Sequence, residues 1–192
     1  MTIRLIIVFF LMFSKAYSQT LIPAATKVRS AFEKLSADIN SKKLQRDYIT
    51  AFPADTKTFL SVFQTENFDQ LYKRSDTYIF ALEKCAGTFP TEVISKCVDV
   101  GRSLVWDADA VGYLQDISIN LATRHLRIFI VKFKTLTKTE QDSLIAFYAD
   151  VENYSAYPEY QELSDRLVGA GEKDIAKRFE VARTKRMKQE DH

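Results

Sequence analysis

After residue 27 apolar residues recur at spacings of three and four along nearly the whole chain, the period of an amphipathic α-helix. Val28, Phe32, Leu35 and Ile39 make one stripe, and Leu44, Tyr48 and Ile49 begin a second. Pro53 interrupts, and Phe59, Leu60 and Phe63 make a short third. Leu71, Tyr78, Ile79 and Leu82 mark a fourth that ends near Gly87, and Val93, Ile94, Cys97 and Val98 a fifth that ends near Gly101. Val111, Leu114, Ile117 and Leu121 hold the period, which continues through Leu126 and Phe129 to Phe133 as one helix of about 25 residues. Within it, RIFIVKF has the branched and aromatic content of a strand. It has no partner strand elsewhere in the chain, so it is read as helix.

Thr137 and Glu140 have the spacing of a capping box, with Leu144, Phe147, Tyr148 and Val151 as the apolar face behind it. Pro158 suits the first turn of a helix, where a missing N–H costs nothing. Leu163 and Leu167 carry that helix to Gly169 and Gly171. Ile175, Phe179 and Ala182 mark the last one, which frays into charge. The expected architecture is all-α, an antiparallel helical bundle or short helical-hairpin array of about seven to nine helices. Three aromatic-proline pairs, Phe52-Pro53, Phe89-Pro90 and Tyr157-Pro158, each read as a helix opening and favour the array.

The first residues stand apart. Arg4 precedes an apolar run from Leu5 to Phe13, followed by Ala16 and Ser18, which suits cleavage before Gln19. That is the pattern of a secretory signal peptide over residues 1–18, with a single helical domain over 19–192. The run is shorter than the roughly 20 residues needed to span a bilayer, so no integral membrane segment is expected after cleavage. The expected location is periplasmic or secreted.

The full chain has 27 Lys+Arg and 25 Asp+Glu. Arg4 and Lys15 leave with the leader, so the mature side chains balance. A basic face for nucleic acid is therefore not expected. The basic run Arg183 to Lys188 lies among Glu180, Glu190 and Asp191 and reads as a solvated helix end. Cys85 and Cys97 are an even pair in an exported chain, the usual setting for a disulfide. The alternatives are two buried thiols or half of a metal site.

WDADAVGYLQD, Trp106 to Asp116, holds the chain's one tryptophan beside two aspartates. Asp107 suits the N-cap of a helix and Asp109 its second position, where the helix dipole favours negative charge. Trp106 and Val111 have the spacing of a hydrophobic staple. The competing reading is a carboxylate pair of a cell-wall or glycan-directed hydrolase, built on Asp107, Asp109 or Glu66. An EF-hand is not supported, since Val111 occupies the third ligand position.

His125, the one histidine before the C-terminal His192, sits between arginines with no G-x-S-x-G, H-E-x-x-H or phosphate-loop glycine pattern anywhere. No catalytic residue, metal ligand or cofactor is implied. FYADVENYSAYPEY concentrates tyrosines among acids, and Tyr148, Tyr154, Tyr157 and Tyr160 are the candidates for a contact surface. The expected function is a non-enzymatic binding or inhibitor-type module with a protein or glycan partner, with the carboxylate hydrolase as the alternative. Chain expressed with its own leader and recovered after export should give Gln19-Thr20-Leu21 on N-terminal sequencing. A product beginning at Met1 would show an uncleaved anchor.

Overall fold

The computed structural model describes residues 21–64, 70–105, 109–150 and 158–190. All the secondary structure in them is helical, in ten α-helices and one 3-10 turn. In order these are α1 Pro23–Ala37, α2 Lys42–Ala51, α3 Thr56–Phe63, the 3-10 turn Tyr72–Arg74, α4 Ser75–Cys85, α5 Pro90–Gly101 and α6 Ala110–Arg124. They are followed by α7 Leu126–Lys134, α8 Lys138–Ala149, α9 Pro158–Gly169 and α10 Lys173–Glu190. The all-α expectation holds, with one helix more than its upper bound.

The extra helix comes from a break at His125. The stretch read as one long helix is two, because His125 leaves the helical region at φ −119° and ψ 45°. His125 thus sits at a corner, not within a helix, and its carbonyl accepts the N–H of Phe129 to start α7. RIFIVKF lies within α7.

Several start signals work as written. The Thr137 hydroxyl accepts the Glu140 N–H at 3.3 Å, and the Glu140 carboxylate accepts the Thr137 N–H at 2.9 Å. Pro90 and Pro158 stand at the first position of α5 and α9. Pro53 does not open α3. Asp55 does, accepting the Thr58 N–H at 2.8 Å, and this bond holds its carboxyl below the usual range. At the other end, α10 does not fray early but continues to Glu190.

The start of α6 differs from the reading of WDADAV. Asp109 is the N-cap, two residues later than expected, and Ala110 is the first helical residue. Its carbonyl accepts the Tyr113 N–H at 2.8 Å, but its carboxylate makes no cap. The carboxylate instead accepts the hydroxyl of Tyr72, and Asp109 adopts φ 57°, a region few residues other than glycine enter. Trp106 and Asp107 lie outside the described residues, and with them the cap and the staple assigned there. Val111 is buried at the second helical position.

Successive helices pack on each other in the pairs α1–α2, α4–α5, α5–α6 and α9–α10, but neighbours across a hairpin run parallel. Tyr72, Phe80 and Glu83 meet Asp109, Tyr113 and Arg124 in rising order, so α4 and α6 point the same way. Asp142 and Asp150 meet Arg178 and Arg186, so α8 and α10 do too. That arrangement is a short array of hairpins. α5 and α6 are its centre, packing on α3, α4, α7, α8 and α9 between them. On one side of them lies an aromatic cluster of Phe32, Tyr48, Phe52, Phe59, Phe63 and Tyr78. On the other lie Phe129, Phe133, Phe147, Tyr148, Tyr160 and Phe179.

The chain has five glycines, and one of them ends a helix in the left-handed form. Gly171 at φ 84° completes a Schellman turn after α9, with Glu172 N–H on the Leu167 carbonyl and Gly171 N–H on that of Val168. Elsewhere the last carbonyls take donors from other helices. Lys96 donates to the Phe52 carbonyl at 3.1 Å, and Thr56 to that of Val100 at 2.6 Å. Gln141 donates to Phe133 and Leu136, Arg166 to Thr123, and the buried Gln115 to Phe147 and Asp150.

The cysteines correct the disulfide expectation, for both are buried free thiols. The two thiols have different neighbours, Tyr48 near Cys85, and Ser118 and Tyr148 near Cys97. The Cys85 thiol bonds the Ala81 carbonyl at 3.3 Å.

Burial pushes the thiols up, Cys85 to about 11 and Cys97 to about 12, from 9.0. Raised pKa values favour the protonated folded form, so this stability is complete below pH 9 and is lost as pH rises through 11 to 12. Ellman's reagent should find no reactive thiol in the folded chain and both after denaturation. Between pH 9 and 12, Cys97→Ala should lose less stability than the wild type in urea titrations.

Candidate functional site

The sequence candidates separate in the structure. Tyr148 and Tyr160 are about 1% exposed and belong to the core, which corrects their reading as a contact surface. Tyr148 packs among Phe129, Phe147 and Phe179, and its burial pushes the phenol well above its ordinary range. The Tyr160 hydroxyl donates to the Phe179 carbonyl at 2.7 Å. Tyr154, Tyr157, Asp107 and Glu66 fall outside the described residues. Of the proposed hydrolase acids Asp109 is described, and it meets Tyr72. The basic run lies on α10 with Thr184, Lys185, Met187 and Lys188 exposed, while Arg183 donates to the Gln161 side-chain carbonyl and Arg186 to Asp150.

A site missed in the sequence lies between α1 and the start of α4. It is an open cleft of about 250 Å³. Arg29, Phe32 and Glu33 of α1 form one wall. Lys73 and Arg74 of the 3-10 turn form the other, with Gln70, Leu71 and Tyr78 completing it. Arg29 and Glu33 are one helical turn apart and pair at 3.0 Å through the guanidinium Nε. The tyrosine is buried and Phe32 sits edge-on to its ring at 4.7 Å.

The floor is held from behind. The Tyr48 hydroxyl on α2 donates to the Tyr78 carbonyl at 2.6 Å, and the Phe32 ring lies 6.1 Å from that of Tyr48. The Gln70 side-chain oxygen accepts the Ile22 N–H at 2.9 Å, which orients its amide and leaves the NH₂ as its spare group. The Tyr78 hydroxyl and the Arg74 guanidinium have no hydrogen-bond or ion-pair partner in the described structure. Burial pushes the Tyr78 phenol up, while Arg74 and Arg29 pull it down and Glu33 adds to the rise. The net direction is upward, so the hydroxyl is a proton donor at neutral pH.

Two further clefts have a different character. One, between α1 and α2, holds Asp47, which pairs with Lys43 at 2.8 Å. The other, between α8 and α10, holds Asp150, which pairs with Arg186 at 2.6 Å. Among the described residues no group of three or more His, Cys, Asp or Glu could hold a metal ion. Nor is any described helix long and apolar enough to cross a membrane.

No protein-family model matches this chain, and no curated protein or solved structure matches it either. Function therefore has to be argued from the cleft itself. Tyr48→Phe removes the bond that seats Tyr78. It should lower stability by about 1 kcal/mol, the net worth of one such hydrogen bond, in thermal or urea denaturation.

Proposed function

We propose that this chain is an exported, non-enzymatic binding protein that meets its partner at the α1–α4 cleft. The observation that carries this reading is the pair of donors lining the cleft. The exposed Arg74 and the hydroxyl of the buried Tyr78 are without a partner in the described structure, although the fold supplies carbonyl or carboxylate partners to many of its other polar side chains. Recognition surfaces are rich in these two residue types because each offers a flat body and a directional donor.

The carboxylates around the described clefts favour binding over hydrolysis. Glu33, Asp47 and Asp150 are each engaged by a neighbouring cation. A glycosidase needs one carboxyl held neutral near pH 7 and a second opposite it. The partner class in this reading is a protein or glycan, and the leader pattern of residues 1–18 supports an encounter outside the cytoplasm.

The test is affinity capture from native envelope and medium, with wild type and Arg74→Glu run side by side. A species retained by wild type and lost with Arg74→Glu, without turnover of wall glycan, is the expected outcome. Equal retention by both, or release of glycan fragments, would overturn the reading.

A further inference from the structure

The chemistry of the cleft narrows what it can hold. Its spare polar groups are mostly donors: the Arg74 guanidinium, the Tyr78 hydroxyl and the Gln70 NH₂. Its two acceptor side chains are already partly engaged. Gln70 gives its oxygen to the Ile22 N–H, and Glu33 gives one to Arg29. Among the described lining residues Arg29 and Arg74 outnumber Glu33, so that lining is net positive. A ligand group that only accepts, and is negative, fits that set. A neutral hydroxyl would gain less from the arginine, and an ammonium group would be repelled by it.

Phe32 and Leu71 supply an apolar wall beside these donors. The cleft volume, about 250 Å³, lies below the roughly 300–1,000 Å³ of sites for drug-sized ligands. We therefore infer that the α1–α4 cleft binds a small oxyanion head, carboxylate or phosphate, carried on a compact apolar or aromatic body. Arg74 takes two oxygens through its fork, Tyr78 donates to one of them, and the body lies against Phe32. The same group could be the end of a partner molecule or a free metabolite. This assignment rests on the cleft being the contact surface.

Calorimetric titration of the purified chain tests it with four probes that share a ring: phenylacetate, phenyl phosphate, benzyl alcohol and benzylamine. The two anions should bind and weaken as salt is added, and the alcohol and the amine should not bind. Their relative affinities show which head the cleft prefers, and inorganic phosphate added as competitor separates the head from the body. Arg74→Gln should weaken anion binding by about tenfold or more, the order of one charge-assisted hydrogen bond. Tyr78→Phe should weaken it by a smaller factor with unchanged melting temperature, because its hydroxyl bonds nothing in the described fold.

Benzylamine or benzyl alcohol binding as tightly as the anions would overturn the assignment. So would anion binding that ignores Arg74→Gln, or no anion binding at millimolar concentration. Failure of the small anions alongside Arg74-dependent capture removes the ligand class and leaves the binding surface standing. Capture that ignores Arg74 removes the surface as well.

Discussion

Every helix leaves carbonyls without a partner in its last turn, and this chain has few glycines with which to turn back and cover them. It uses neighbouring helices instead. Lys96 and Thr56 make one exchange: α5 supplies the donor for the end of α2, and the first residue of α3 supplies one for the end of α5. Gln115 reaches from the middle of α6 to the end of α8, and Arg166 from α9 to the end of α6. The ends of α2, α5, α6, α7 and α8 thus depend on tertiary contacts. Those helices are not independent units that later pack, because their boundaries are tied to the packing. The arrangement also explains why buried polar side chains such as Gln115 are tolerated in the centre of the array. Gln115 meets carbonyls at the end of α8 that would otherwise be buried unsatisfied.

The same dependence decides what the sequence makes legible. Features that act within one turn of chain are readable: the period of Val28, Phe32 and Leu35, the Thr137–Glu140 box, and the prolines that start α5 and α9. Features settled by another helix are not. Asp109 has a fair local claim to a place within the first turn, but the Tyr72 hydroxyl, from 37 residues earlier, takes its carboxylate. The backbone then leaves the helical region at that residue. Tyr148 follows Phe147 directly, so the two cannot share one face of a helix. Both are nevertheless buried, because α8 is covered by α10 on one side and by α5 and α6 on another. A single amphipathic stripe is a poor guide to a helix with two buried faces. Tyr160 satisfies its hydroxyl inside the core, so its polar tip is no sign of a surface position.

The cleft was invisible for a related reason. Arg29 and Tyr78 lie far apart in the chain and on different helices. Arg74 sits in the 3-10 turn, which no periodicity marks. What brings them together is the aromatic cluster beneath: Phe32 and Tyr78 pack edge to face, and Tyr48 holds the carbonyl of one while touching the ring of the other. The cluster that stabilises this end of the array therefore also aims its donors. Shape and charge at the cleft follow from core packing rather than from a local motif.

The burial of the two thiols has a consequence for the folded chain. Cys85 and Cys97 belong to successive helices, yet they are unbonded and each is buried. Once the chain is folded an oxidant meets no accessible sulfur, so reducing and oxidising surroundings should leave the folded molecule covalently the same.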